Sequence, residues 1–171
     1  MKRLTINLPE YIIDTEPDIN GISKAIDNVL KQEFMGKSVV VRGIASSAHP
    51  AKSTSELIDI ICQTGTDRYD PSRVGDRYEN VQNKHIDLFG VPAFVSETSE
   101  ISRVIIWGFY HSSKALHGQP VKIDVVIIYD AEMLSQVQHS YAGRDDVKDD
   151  GFAFKHPNHK VDALLGILRI C

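Results

Sequence analysis

The chain has 171 residues and a formal net charge of −4, with 42% hydrophobic and 25% charged residues. This composition is ordinary for a globular domain and excludes the disordered and collagen-like classes. The acidic balance argues against a nucleic-acid groove, because such a groove needs surplus Lys and Arg to neutralise phosphates. We therefore expect a single domain over residues 1–171 and no nucleic-acid partner.

Two cysteines, Cys62 and Cys171, are too few for a disulfide framework, and we interpret both as reduced. Residues 1–7 have positive charge but no apolar core of signal-peptide length, and no apolar run reaches membrane-spanning length. The sequence thus predicts a cytoplasmic protein with no membrane segment and no obvious export signal.

Hydrophobic periodicity predicts two strands and two helices in the first part of the chain. Alternation and β-branched residues indicate the strands, and apolar residues at helical spacing indicate the helices. Glycines end both helices, and a capping box opens the second. In order, the predictions are a strand at 2–8, a helix at 19–34 ended by Gly36, a strand at 38–45, and a helix opened by Ser53 and Glu56 and ended by Gly65.

Residues 66–84 form a charged segment without a period of either kind. It contains three Asp, three Arg, two Tyr, a Pro and a Gly. A loop of this length in a compact domain is typical of a functional surface. We interpret it as a candidate contact surface for a protein partner.

The second part of the chain predicts further strands around one more helix. A kinked strand at 86–95 contains Gly90 and Pro92, and a β-branched run predicts a central strand at 121–129. The remaining predictions are a polar turn at 96–99, a helix at 101–110, a short helix at 130–134, a charged loop at 143–151, a short strand at 152–154 and a final strand at 163–170. Together they predict one α+β domain with a mixed, mostly antiparallel β core and about three helices.

Metal sites have little support in the sequence. His156 and His159 flank Pro157, which argues against a helix face, and no second pair of ligands at zinc spacing accompanies them. The acidic run at 145–150 lacks the alternating ligands and terminal Glu of a calcium-binding loop. No metal cofactor is therefore expected.

Two other catalytic interpretations have simpler alternatives. A nuclease core of Asp87, Asp124 and Lys122 competes with an opposite-charge pair, because Lys122 and Asp124 share one face of a strand. Cys62 lies on an apolar helix stripe, where a core residue is a better interpretation than a nucleophile.

A third group of polar residues is distributed over the predicted strands. An Arg followed by Gly lies on the second strand, among residues that favour burial. A hydroxyl-rich cluster ends the kinked strand, and a carboxylate introduces the final strand. These motifs are Arg42-Gly43, Ser96-Glu97-Thr98-Ser99 and Asp162.

In their order along the chain these motifs resemble the ADP-ribosyltransferase family, in its Arg, Ser-Thr-Ser, Glu branch. The resemblance implies a split β-sheet and an enzyme that uses NAD, either to transfer ADP-ribose to a macromolecule or to hydrolyse NAD. It implies Asp162 as the catalytic carboxylate and an aromatic residue, Tyr110 or Phe94, that stacks on the nicotinamide. The residues implied to bind NAD are Arg42, Gly43, Ser96, Thr98, Ser99 and Tyr110.

The chemistry of such a site suits these residue types. Cleavage of the bond between nicotinamide and ribose develops positive charge on the sugar, which a nearby carboxylate stabilises. An Arg makes bidentate contacts with a diphosphate. The sequence departs from the family in two places: Glu97 interrupts the Ser-Thr-Ser triplet, and Asp162 is one methylene shorter than Glu.

Each motif also has a structural interpretation. Arg42 can point outward or pair with a neighbouring Asp, and Ser96 and Ser99 can cap the helix that follows them. Asp162 can be an exposed turn residue before the last strand. The alternative function is a non-enzymatic accessory protein that acts through residues 66–84 on a protein partner or in a homodimer.

Overall fold

The computed structural model describes residues 10–13, 19–48, 51, 53–67, 87–88, 90–101, 123–141, 144–156 and 160–170. Within these residues the chain forms two α-helices and two β-sheets, so the α+β prediction is confirmed. The helices are α1 (Ile19–Phe34) and α2 (Thr54–Thr64). The strands are β1 (Glu10–Ile13), β2 (Ser38–Ile44), β3 (Asp87–Leu88), β4 (Val91–Phe94), β5 (Val125–Asp130), β6 (Leu134–Tyr141), β7 (Arg144–Phe154) and β8 (Leu164–Ile170).

The larger sheet has five strands in the order β1-β8-β5-β2-β4, and the smaller has three in the order β3-β7-β6. Every pairing is antiparallel except that of β1 with β8, which is parallel. The predicted mostly antiparallel core is therefore confirmed. Three short 3₁₀ turns in the described part of the chain, Ser46–Ala48, Ala131–Met133 and Val161–Ala163, connect elements at the ends of the strands.

The five-stranded sheet is covered on both faces, which explains why its central strands are almost wholly apolar. Helix α1 packs on one face, where Val39 and Val41 of β2 meet Ile26 and Leu30. Helix α2 and the three-stranded sheet pack on the other face, where they meet Val40. The face of α2 that reaches this core consists of Leu57, Ile58, Ile61 and Cys62.

The ends of α2 follow the sequence pattern. The hydroxyl of Ser53 accepts a hydrogen bond from the Glu56 N–H at 3.1 Å, as half of the predicted capping box. Gly65 has a φ of 82° and donates its N–H to Ile61, which closes the helix in a left-handed cap. Helix α1 ends at Phe34, and Gly36 has a φ of 79° at the turn into β2.

The predicted kinked strand is divided between the two sheets. β3 pairs with β7 in the smaller sheet, and β4 pairs with β2 in the larger one. Gly90 lies at the change of sheet, where a Cβ atom would come within 2.8 Å of the Val40 side chain. A glycine is therefore required for the close approach of the chain to β2.

The charged loop predicted at 143–151 is wrong, because residues Arg144–Phe154 form the long strand β7. β7 pairs with β6 from Leu134 opposite Phe154 to Ser140 opposite Lys148, and after a register shift Tyr141 lies opposite Arg144. Hairpin pairing satisfies the main chain whatever the side chains are, so it overrides the low strand propensity of the Asp-rich run. The short helix predicted at 130–134 is a 3₁₀ turn that leads directly into β6.

Several predictions lie outside the described residues. These are the strand at 2–8, the helix at 101–110 apart from Ile101, Cys171, and most of the segment 66–84, of which only Thr66 and Asp67 are described. Neither described helix has the length and apolar content that crossing a membrane requires.

Candidate functional site

Arg42 occupies the middle of β2 and forms a bidentate ion pair with Asp67, just after α2. Its Nε donates to Oδ1 of Asp67 at 2.8 Å, and its Nη2 donates to Oδ2 at 3.0 Å. The Arg42 side chain is 16% exposed and the Asp67 side chain 6%. The guanidinium fork therefore already holds the planar anion that its geometry recognises.

The surroundings of Arg42 favour its charged form. Burial lowers the pKa of Arg42, but the Asp67 carboxylate, and more weakly Tyr129, raise it, and the net effect is a rise. Because the charges are largely removed from water, each partner depends on the other for solvation. Loss of either side chain would remove the opposite charge that the other contacts at 2.8 and 3.0 Å.

Tyr129 of β5 connects this ion pair to the end of α2. Its hydroxyl donates to the carbonyl oxygen of Gly65 at 2.9 Å, and the residue has no exposed surface. Its ring meets Phe154 edge to face, with the centroids 5.8 Å apart and an interplanar angle of 77°. The hydrogen bond fixes the residue two positions before Asp67.

Thr64 stabilises the turn between α2 and Asp67 by hydrogen bonds. The Thr64 hydroxyl lies 2.8 Å from the carbonyl oxygen of Ile60 and 2.7 Å from that of Thr66, and it accepts from the Thr66 N–H at 3.3 Å. Both threonines are buried. The start of segment 66–84 is thus fixed to the helix and to the sheet by side chains of the core.

Lys160 is the second buried basic residue beside this turn. It is 2% exposed, and within the described structure its Nζ makes no hydrogen bond. Its backbone lies against Gly65, so closely that a Cβ at Gly65 would come within 2.5 Å of the Lys160 carbonyl carbon. Burial lowers the pKa of Lys160 to about 8.

A separate polar cluster joins β2 to the start of α2. The Asp124 carboxylate accepts from the Ser46 N–H at 2.8 Å, from the Ser46 hydroxyl, and from the Thr54 hydroxyl at 3.3 Å. The Asp124 main chain also bonds to Ile44 and Ile170. All these bonds lie within the fold, and they account for Asp124, one of the carboxylates of the nuclease interpretation.

The hydroxyl-rich motif forms a closed turn after β4. The Ser99 hydroxyl donates to the Ser96 carbonyl oxygen at 2.9 Å and accepts from the Ser96 N–H at 3.2 Å. Thr98 and Glu97 are exposed in the same turn. The Ser99 side chain therefore bonds to the main chain of Ser96, as expected for local capping of a turn.

The structure does not bring this turn and Arg42 together. Ser38 pairs with Phe94 and Val41 with Val91, so the residue level with Arg42 is Gly90, just before β4 begins. Ser96 is six residues further along, or about 20 Å at the rise of an extended strand. The two motifs lie toward opposite ends of neighbouring strands.

Asp162 lies in the 3₁₀ turn before β8 and is exposed. β8 is separated from β2 by β5, which places these strands about 10 Å apart across the sheet. Leu164 pairs with Tyr129, so Asp162 also lies beyond the end of β5 that is further from Arg42. Gly43 adjoins Arg42 on β2, Phe94 is 58% exposed, and Tyr110 lies outside the described residues.

The buried cluster contains residues that the sequence analysis did not single out. Asp67 was counted only as part of a charged segment, and Tyr129 only as part of an apolar strand. An Asp two positions after a helix-closing glycine was the signal available for Asp67. Lys160 carried no signal, because its burial depends on the packing of two distant segments.

Comparisons with protein-family models, curated proteins and solved structures found no match for the chain. In the part of the chain that the structure describes, no group of three or more His, Cys, Asp or Glu residues could hold a metal ion.

Proposed function

We propose that this protein is a non-enzymatic interaction protein that presents segment 66–84 to a protein partner. The observation that carries the proposal is the bidentate pair between Arg42 and Asp67, with contacts of 2.8 and 3.0 Å. The pair fixes the beginning of the segment to β2, an interior strand of the larger sheet. A rigid anchor of this kind suits a loop that presents a contact surface.

The same pair argues against the use of Arg42 as a phosphate ligand. A diphosphate would have to displace the carboxylate of Asp67, whose side chain is 6% exposed. Displacement would leave a buried carboxylate without its counter-charge, which costs several kcal/mol. Arg42 is therefore better explained as an anchor for Asp67, at the start of the segment, than as a ligand of a nucleotide phosphate.

Site-specific photocrosslinking in the native cell tests the proposal. A photoreactive residue replaces Arg73, which lies in the segment, or Gln32, an exposed residue of α1 that serves as the matched control. We expect the Arg73 position to give one discrete crosslinked product and the Gln32 position to give none. Circular dichroism of both purified variants establishes that they fold alike.

Equal crosslinking at both positions, or no discrete product at Arg73, would contradict the proposal. A discrete product that survives the change Asp67→Asn would also count against it. In that variant the anchor loses its charge, and we expect the yield of the product to fall.

The second candidate function is an ADP-ribosyltransferase-like enzyme that uses NAD. Two observations favour it: the strands divide into a five-stranded and a three-stranded sheet, and Arg42 lies on an interior strand of the larger one. The family's split sheet and its NAD-binding role for Arg42, Gly43, Ser96, Thr98, Ser99 and Tyr110, with Asp162 as the catalytic residue, stay predictions.

Thermal titration with NAD distinguishes the two candidates. A ligand that binds only the folded state raises the melting temperature, and the rise grows with the logarithm of the ligand concentration once that concentration exceeds Kd. The interaction protein predicts no shift at millimolar NAD. A concentration-dependent rise, reduced in an Asp162→Asn variant that melts normally without NAD, would favour the enzyme and would justify an assay for nicotinamide release.

A further inference from the structure

Within the described residues the two sheets have four edge strands, and these differ in how well they are protected from pairing. β1 and β4 each have four residues and β3 has two, whereas β6 has eight. Natural proteins shorten edge strands, or place charges or Pro on them, to prevent association through the open edge. β6 has none of these protections, because its sequence, LSQVQHSY, contains no Pro and no Asp, Glu, Lys or Arg.

The edge at β4 shows the protection that β6 lacks. The Val95 N–H donates to the Lys37 carbonyl at 3.0 Å. In an antiparallel ladder the direction of bonding alternates along the strand, so Pro92 and Phe94 direct their main-chain polar groups away from β2. Pro92 therefore removes a donor from the open side of β4.

The same reasoning identifies the open groups of β6. The Lys155 N–H donates to the Met133 carbonyl at 3.2 Å, and Leu134 pairs with Phe154. By alternation Ser135, Val137 and His139 bond to β7, so the N–H and C=O groups of Gln136, Gln138 and Ser140 face the open edge. Within the described structure no strand pairs with β6 on that side.

We propose that β6 pairs antiparallel with β6 of a second copy of this chain, about a twofold axis. The two three-stranded sheets then form one six-stranded sheet. A twofold interface brings a surface against itself, so it suits an edge without charge, on which no like charges meet. An axis at Gln138 places Gln136 opposite Ser140 of the partner subunit. About six main-chain hydrogen bonds then form.

This interface does not depend on the function proposed for segment 66–84, because it uses a different surface and a different partner. Failure of the crosslinking experiment at Arg73 would leave the β6 edge unchanged. Loss of the dimer would likewise leave the anchor at Arg42 unchanged.

Sedimentation velocity of the full chain, from about 1 to 100 μM, tests the proposal. We expect a concentration-dependent dimer. Gln136→Pro removes an outward-facing N–H and should weaken dimerisation about tenfold or more, since it also disturbs the neighbouring pairs. Gln136→Ala keeps the N–H and should dimerise like the native chain.

A pair of charge variants tests the position of the axis. Gln138→Lys and Gln138→Glu each place like charges opposite each other, so each alone should be mainly monomeric. Mixed in equal amounts they should form a heterodimer. Circular dichroism and melting curves of each variant establish that the monomers are folded.

Three results would overturn the proposal. One is a native chain that stays monomeric throughout the concentration range. Another is a dimer that Gln136→Pro leaves intact. The third is a mixture of the Lys and Glu variants that associates no better than either alone.

Discussion

The carbonyl carbon of Lys160 lies 2.5 Å from the position that a Cβ atom would take on Gly65. Gly65 has a φ of 82° and ends α2. Because it has no side chain, the chain before β8 can pass directly against Gly65. The next residues, Thr66 and Asp67, begin the charged segment. The glycine is therefore needed for its backbone angle and for its lack of a side chain.

Comparing Gly65→Ala with Gly36→Ala separates these two requirements. Both residues have positive φ, but a Cβ at Gly36 would have no atom within 4 Å. We expect Gly36→Ala to lower the free energy of unfolding by about 1 kcal/mol, from backbone strain alone. Gly65→Ala should cost roughly 3 kcal/mol or more, because the Lys160 backbone must also move. Urea unfolding measures both; equal losses would contradict the close contact.

Lys160 predicts an unusual dependence of stability on pH. Its pKa is about 8 in the folded protein and 10.5 for an ordinary lysine. Below pH 8 Lys160 is protonated in both the folded and the unfolded protein, so the full cost of burying its charge lowers the stability of the folded state. Between these two values the unfolded state binds the proton and the folded state does not, so stability contributed by this group increases as pH rises.

The variant Lys160→Met tests this dependence. We expect it to raise the free energy of unfolding at pH 7 by about 1 kcal/mol, since an apolar chain of similar length replaces an ammonium that has no hydrogen-bond partner among the described residues. Its advantage over the native chain should shrink as pH rises from 7 to 10. Lys155→Met, at an exposed position, serves as the control. An advantage that stays constant with pH would contradict the account.

Tyr129 contributes a hydroxyl and a ring, and two substitutions separate them. Tyr129→Phe keeps the edge-to-face contact with Phe154 but leaves the Gly65 carbonyl without its donor. We expect a loss of about 1–2 kcal/mol in the free energy of unfolding. Tyr129→Leu should cost more, because it also opens space beside Phe154. If Tyr129→Phe left the free energy of unfolding unchanged in thermal and urea unfolding, the hydrogen bond would not contribute to stability.

Local patterns predicted the local parts of this fold. The apolar stripe from Ile19 to Phe34 gave α1 its observed bounds, and the capping box at Ser53 and the glycine at 65 gave the ends of α2. These features depend on neighbours within one or two turns, so the sequence states them directly.

Features that depend on distant pairing were not predicted. The Asp-rich run of β7 has the composition of a loop, and only its pairing with β6 makes it a strand. The pair of Arg42 and Asp67 spans 25 positions of the chain. An Asp partner for Arg42 is one of the interpretations of the sequence, but local sequence does not select among the carboxylates of the chain.

A double-mutant cycle on Arg42 and Asp67 tests the central claim most directly. The variants are Arg42→Met, Asp67→Asn and the double variant, each measured by urea unfolding. We expect each single change to cost about 3 kcal/mol or more, because it leaves a buried partner without its counter-charge. The double variant should cost clearly less than the sum of the two. Additive losses would show that the two side chains do not act as a pair, and the anchor proposed for segment 66–84 would be contradicted.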